Sequence, residues 1–423
     1  MLQVQVLRNN PELVKAKLAI KHFKQLELVD EIVVLDDERK KIQTEYDTIQ
    51  SKVNAASKEI GKLMGQGKKE EAELMKTEVA AYKTLVVTLN EQMIATESLL
   101  HDKLIVLPNL PADIVPIGKT PEENLNVKEG GTIPTLHAKA VPHWDLIKQY
   151  DLVDFETGAK ITGSGFPLYK GKGAKFQRTL VQYFLDFNTA AGYTEYLPPF
   201  MVNKDSAYGT GQLPDKDGQM YHATEDDLYL IPTAEVPVTN IFRDVILKEE
   251  ELPVKMTAYS PCFRREAGSF GKEVRGLNRV HQFEKVEIIQ IVEPEKSYAV
   301  LDEMVAHVEA LLQSLELPYR ILRLCGGDMS FTSALTYDFE VYSTAQERWL
   351  EVSSVSNFEG FQTNRMKCRY KDGTNKTKPV HSLNGSSLAL PRIYAALIEN
   401  NQVENGILLP KVLHSYFGSD RLI

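Results

Sequence analysis

Cysteine is scarce. Three occur in 423 residues, Cys262, Cys325 and Cys368, at spacings that form no pair. That excludes a disulfide framework and a paired-cysteine zinc site, and it fits a reducing compartment. No apolar run is long enough to span a bilayer, and the start, Met1-Leu2-Gln3-Val4-Gln5, lacks the basic head and long apolar core of a signal peptide. A cytoplasmic location is the expectation. Positive charge is not in excess: 49 Lys and Arg face 58 Asp and Glu, for a net charge of −9. A nucleic-acid partner would have to meet a local basic patch. The glycine-rich loops GxxxxGK[ST] and GxGxxG are also absent. A nucleotide would therefore lie on a flat sheet face with arginines rather than in a backbone cradle.

What is present begins with an arm. Pro11, then Leu13, Val14, Ala16, Leu18 and Ile20, predict a helix over about 8–23. Ile32, Leu35, Arg39, Ile42, Tyr46, Ile49, Val53, Ala56, Ile60 and Leu63 then step alternately by three and four. After Gly65-Gln66-Gly67 the alternation resumes from Ala72 and runs through Val79, Val86 and Met93 to Leu100. Two heptad seams with a glycine break predict an antiparallel coiled coil. At about 1.5 Å per residue each limb is roughly 50 Å long. Its base is acidic (Asp30, Glu31, Asp36, Asp37, Glu38). Its tip carries Lys52, Lys58, Lys62, Lys68 and Lys69. Charge alone fits a solvated face better than a probe for a polyanion.

Prolines 108, 111, 116, 121 and 134 with Gly130 and Gly131 then mark extended backbone. The expected division is a helical domain over 1–106, a linker over 107–136 and a catalytic body over 137–423. The body reads as α+β, mostly antiparallel strands with helices around them. Residues 173–191 form an amphipathic helix on Phe176, Leu180, Phe184 and Phe187, followed by a short strand ended by Pro198-Pro199. Thr233 and Glu235 follow a strand ended by Pro232, and a turn cap explains them equally well. Strands over 336–342 and 348–352 deliver Glu351-Val352-Ser353-Ser354, where a carboxylate near hydroxyls suits magnesium bridging phosphates. Asn384-Gly385-Ser386 before an apolar run reads as a helix N-terminus, with Pro391 in the first turns and Arg392 the one charge on a buried-looking face.

The organising stretch runs from Phe263 to Glu287. Arg264 and Glu266 precede a loop with Gly268, Gly271 and Gly276; Arg279, Phe283 and Glu287 follow it on an alternating strand. Period two puts the first pair on one face and the last three on one face. Guanidiniums suit phosphate, a ring suits a base, and a carboxylate suits an amine. A strand pair with charged outer faces would read the same way.

Together these segments resemble the three motifs of class II aminoacyl-tRNA synthetases. The specific sequence is similar to the bacterial seryl-tRNA synthetase family: Thr233-Ala234-Glu235, Phe263-Arg264-Arg265-Glu266-Ala267-Gly268, His281-Gln282-Phe283, Gly327-Asp328-Met329, Thr336-Tyr337-Asp338, Ser356-Asn357-Phe358 and Leu383-Asn384-Gly385-Ser386, behind a coiled-coil arm. The resemblance covers essentially the whole chain. It departs from the family at Arg265, where serine is frequent, at Val355, where cysteine is frequent, and at Pro391, where glycine is common.

The resemblance implies ATP-dependent activation of L-serine to seryl-adenylate, then transfer to the 3′ end of tRNA(Ser). It leaves open whether tRNA(Sec) is served too. It implies that Arg264 meets the α-phosphate and the serine carboxyl, Glu266 reads the adenine edge or the tRNA end, and Phe283 stacks adenine with Val280 beside it. Arg392 would cap the γ-phosphate. Glu351 and Ser354 would hold Mg²⁺, with Arg265, Val352 and Ser353 completing the ATP set. Thr233, Ala234, Glu235, Glu287 and Ser386 would bind serine; which carboxylate takes the ammonium and which the hydroxyl stays open. The tip lysines become phosphate contacts that position a tRNA, and a homodimer is implied. Two rivals differ in sequence. A carrier-protein ligase would lack the long arm. A non-catalytic paralogue would have lost some of Arg264, Glu266, Glu287, Glu351 and Arg392, and all five are present.

Overall fold

The structure, a computed structural model, describes residues 1–215, 218–266 and 274–423. It divides into two compact units, one of residues 1–19 and 23–108, the other of 20–22 and 109–423. Ala267, Gly268 and Gly271 of the expected loop lie outside the described residues.

The first unit is helical: α1 (Val4–Asn9), α2 (Pro11–Ile20), α3 (Leu28–Gly65) and α4 (Lys69–Leu104). Pro11 opens α2, where its missing N–H costs nothing. The seam buries Ile32, Ile49, Val53 and Leu63 of α3 against Ala72, Val79, Leu89 and Leu100 of α4, as the heptads predict. The antiparallel register shows in Lys103 Nζ, 2.6 Å from Glu31, and in Lys52 Nζ, 5.7 Å above the Tyr82 ring. The acidic base is paired rather than merely solvated. Asp36 is buried and takes Arg8, Arg39 and Lys40 at 2.7–2.9 Å. Burial pushes its carboxyl up, but hydrogen bonds from Lys40, Arg39 and Arg8 outweigh that and hold it at about 2.

The second unit is built on one eight-stranded sheet: β1 (Leu125–Gly130), β2 (Thr194–Tyr196), β3 (Val254–Phe263), β4 (Gln282–Val292), β5 (Tyr319–Arg323), β6 (Leu335–Ser343), β7 (Arg348–Glu359) and β8 (His381–Ala389). The spatial order is β1-β5-β6-β7-β8-β4-β3-β2, antiparallel throughout except that β2 runs parallel to β3. Residues 125–130, inside the stretch read as a linker, thus supply an edge strand. Asn384-Gly385-Ser386 is a correction as well. These residues lie within central strand β8, buried on both faces, and the helix α8 (Leu390–Asn400) starts only at Leu390. A strand buried on both faces shows no alternation, which is why its polar residues resembled a cap.

One sheet face is covered by three helices: α6 (Gly171–Ala190), α7 (Ser297–Ser314) and α8, after a short α5 (His143–Gln149). Phe176, Leu180 and Phe184 of α6 pack with Val286 and Ile288 of β4 and Tyr394 of α8. Each such side chain contributes about 1.5–3 kcal/mol by burial. The opposite face carries the odd-numbered residues Phe283, Lys285 and Glu287 of β4 and lines a cavity.

Candidate active site

The cavity measures about 620 Å³. Arg264, just past β3, is fixed by its backbone: its N–H donates to His281 O at 2.9 Å. Its guanidinium lies 5.2 Å from the centre of the Phe283 ring. Glu266 adopts a φ of 48°, a left-handed conformation, and pairs with Arg279 Nε at 3.3 Å. All four line the cavity with Val280 and Glu287. Arg265, between lining residues Arg264 and Glu266, is not part of the lining, and Ala234 packs instead with Val238 and Met256.

Metal ligands need a shared face, and Glu351 and Ser354 lie three apart on a strand. Regular alternation would separate them. The register supplies the remedy: Phe339 faces Ser353 but the next residue, Glu340, faces Glu351, so Val352 is a bulge. Glu351 and Ser354 thereby share the face of Glu340 and Asp338, and both line the cavity. Val352 packs into the core and, with Ser353, also borders the cavity. Ser354 Oγ donates to Asp338 Oδ1 at 2.5 Å. Burial, then the neighbouring Glu351, pushes the Asp338 carboxyl well above its usual range. Among the described residues no three His, Cys, Asp or Glu side chains are grouped as a metal site.

Arg392 reaches the cavity from α8. Its Nε donates to Asn278 O at 3.0 Å and its Nη1 to Glu351 O at 2.7 Å. A buried polar group holds Asn278 in turn. Leu277 N–H donates to His143 Nε2 at 2.9 Å, so the ring proton sits on Nδ1, which donates to Glu399 Oε1 at 2.7 Å. Glu399, fully buried, also accepts from Ser343 Oγ and from Gln346, whose amide oxygen accepts from Asn278. Gly276 has a φ of 65°, and a Cβ there would sit 2.4 Å from His143 Nε2, so only glycine permits this approach. Glu399→Ala is expected to destabilise the second unit by about 1–3 kcal/mol for each donor left unpaired, read from the urea midpoint, and to raise KM for ATP through Arg392.

At the other end lie Thr233, Glu235, Glu287 and Ser386. Thr233 Oγ1 donates to Glu287 Oε2 at 3.3 Å, and Gln362 Nε2 to Glu235 Oε1 at 2.6 Å. A bulge between β4 and β8 sets Ser386 opposite Glu287. Burial, then the negative charge of Glu287, pushes Glu235 up to about 7. Lys285 and Asn384 also line the cavity, as does Asn278 beside Arg392, while Asp338 lines an adjoining space with Glu351 and Ser354. Of these, Lys285 was legible, lying midway between Phe283 and Glu287 at period two. Gln362, on a separate helix, had no sequence signal.

Residues 1–111 match the family described as the seryl-tRNA synthetase N-terminal domain, and residues 219–401 match the tRNA synthetase class II core domain (G, H, P, S and T). A serine–tRNA ligase of Salinibacter ruber is 49% identical, over 100% of this chain and 99% of that one. The chain belongs to the seryl-tRNA synthetase family. A second such ligase, from Methylacidiphilum infernorum, is 44% identical over 100% of both chains. The crystal structure of the seryl-tRNA synthetase of Pyrococcus horikoshii complexed with ATP superposes with a TM-score of 0.93 at 31% identity, covering 100% and 99% of the two chains. A seryl-tRNA synthetase activates serine with ATP and ligates it to tRNA. The expected arm and class II sheet are therefore both in place. No described helix is long and apolar enough to cross a membrane.

Proposed function

We propose that this cavity is where seryl-adenylate forms and where the serine is handed to the tRNA end. The observation that carries the reading is convergence: two arginines from different motifs, Arg264 and Arg392, meet Phe283, Glu287, Glu351 and Ser354 around one space. ATP is the substrate that such a set fits. Phe283 offers a face to adenine. Arg264 meets the α-phosphate and the serine carboxylate that attacks it in line; the carboxylate–phosphorus bond forms as pyrophosphate leaves. Arg392 draws the terminal phosphates. Positioning and fixed charge supply the rate, since phosphoryl transfer asks for little else. Glu351 and Ser354 would hold Mg²⁺, which when bound neutralises phosphate charge. Thr233, Glu235, Glu287 and Ser386 take the serine. A pocket that hydrogen-bonds the hydroxyl disfavours alanine strongly.

The arm belongs to the second step. Lys52, Lys58, Lys62, Lys68 and Lys69 are all exposed near the turn. Lys62 and Lys68 have neighbours in Glu59 and Glu71, but exposed pairs of that kind are weak enough for a phosphate to displace. The bound partner is tRNA(Ser), the enzyme acts in the cytoplasm, and two chains of 47.7 kDa associate as a homodimer.

The test is ATP–pyrophosphate exchange with each amino acid in turn. Exchange is expected with serine, with alanine lower by about 10⁴-fold. Equal exchange with alanine, or none with serine, overturns the reading.

A further inference from the structure

The amino-acid end of the cavity holds two acids, Glu235 and Glu287, and one base that none of the roles above employs. Lys285 is buried, lines the cavity on the same strand face as Glu287, and its Nζ sits 2.5 Å from Glu287 Oε2. Burying an ammonium is costly unless the charge is matched, so its presence demands a reason.

The two carboxylates differ in what already holds them. Glu287 Oε2 receives both Lys285 and Thr233, which leaves Oε1 for a further donor. Glu235 receives neutral donors, the Gln362 amide chief among them. One acid thus has a resident cation; among the described residues the other has none.

We propose that Lys285 is a positioning residue of the amino-acid pocket: by occupying Glu287 it turns that carboxylate toward the substrate hydroxyl and leaves Glu235 to receive the substrate ammonium. This deepens the reading of Thr233, Glu235, Glu287 and Ser386 as the serine pocket and rests on it. A neutral ion pair accepts a hydroxyl proton without attracting a second cation. The unpaired acid attracts one. A lysine on the wall thereby separates two otherwise equivalent carboxylates, and a substrate with an ammonium but no hydroxyl would leave Glu287 without its donor.

A pH signature follows. The charged groups that face Glu235 are Glu287 and Lys285, both on β4; Gln362 and Asn384 contribute neutral amides from other elements. With Glu235 pushed up to about 7 by burial and by Glu287, serine loses its counter-charge as pH falls through neutrality. Lys285 opposes that rise. Removing its charge sends Glu235 higher still, and the acid limb of serine binding moves to higher pH.

The experiment is serine-dependent pyrophosphate exchange by the full chain carrying Lys285→Met, Lys285→Arg, Glu235→Gln or Glu287→Gln, with thermal melting as the check on folding. Lys285→Met is expected to raise KM for serine about tenfold or more, to leave KM for ATP within about twofold, and to shift the acid limb of kcat/KM for serine upward. Lys285→Arg restores most of both, and Glu235→Gln abolishes the limb. If Lys285→Met changes neither serine KM nor the limb while Glu287→Gln raises KM, the lysine only fills space and the proposal falls. If Glu235→Gln and Glu287→Gln also leave serine KM unchanged, the pocket reading itself has failed, a separate result. Should Lys285→Met not fold, a limb that persists in Glu235→Gln overturns the proposal on its own.

Discussion

Arg264→Ala is expected to abolish serine-dependent pyrophosphate exchange, with a loss of about 10³-fold or more. The side chain is the cation that approaches both the ring of Phe283 and the mouth of the amino-acid pocket. The other arginines among the described lining residues are committed elsewhere, Arg279 to Glu266 and Arg392 to Asn278 and Glu351. Its backbone bond to His281 does not depend on the side chain, so the strand pair should survive the change. The variant should melt like the parent while exchange vanishes. Retained exchange would mean that the α-phosphate lies elsewhere.

The second large effect belongs to the arm. Residues 52 and 82 face one another, as do 31 and 103. Excising 42–92 and closing the gap with a short Gly-Ser turn therefore respects the register. It removes the five tip lysines and keeps the Asp36 cluster and the Lys103–Glu31 pair. Pyrophosphate exchange is expected to stay within about twofold, since the cavity lies wholly in the second unit. Charging of tRNA(Ser) should fall by about 10²-fold or more, because each lost phosphate contact weakens binding and the losses accumulate. Undiminished charging would place tRNA recognition outside the arm.

Both predictions draw on features the sequence displays openly. Heptads place α3 and α4 because a two-helix seam has one solution once a glycine break fixes the turn. Period two brings Phe283 and Glu287 to one face, and the structure keeps them there. Features invisible in the chain arise where the fold brings distant segments together. His143 and Glu399 are 256 residues apart, and nothing in either neighbourhood marks a partner. Gln362 reaches Glu235 from a separate helix. Residues 125–130 look like linker because the run is short, its only apolar residues, Leu125 and Val127, are exposed on an edge strand, and prolines and glycines flank it. Strand β8 misleads for the opposite reason, being enclosed on both sides.

The surplus residue at Val352 has a consequence for how such sites are searched for. An interval of three ordinarily signals one turn of helix, and an interval of two signals a pleat. Here the spacing of a helix is executed by extended backbone, with valine sunk into the interior as the offset. Dropping that valine would leave Glu351 and Ser354 looking the same way at the spacing of an ordinary pleat, and its presence as a surplus residue is what lets them do so at a spacing of three. Two oxygens on this wall are therefore defined by parity rather than by distance along the chain.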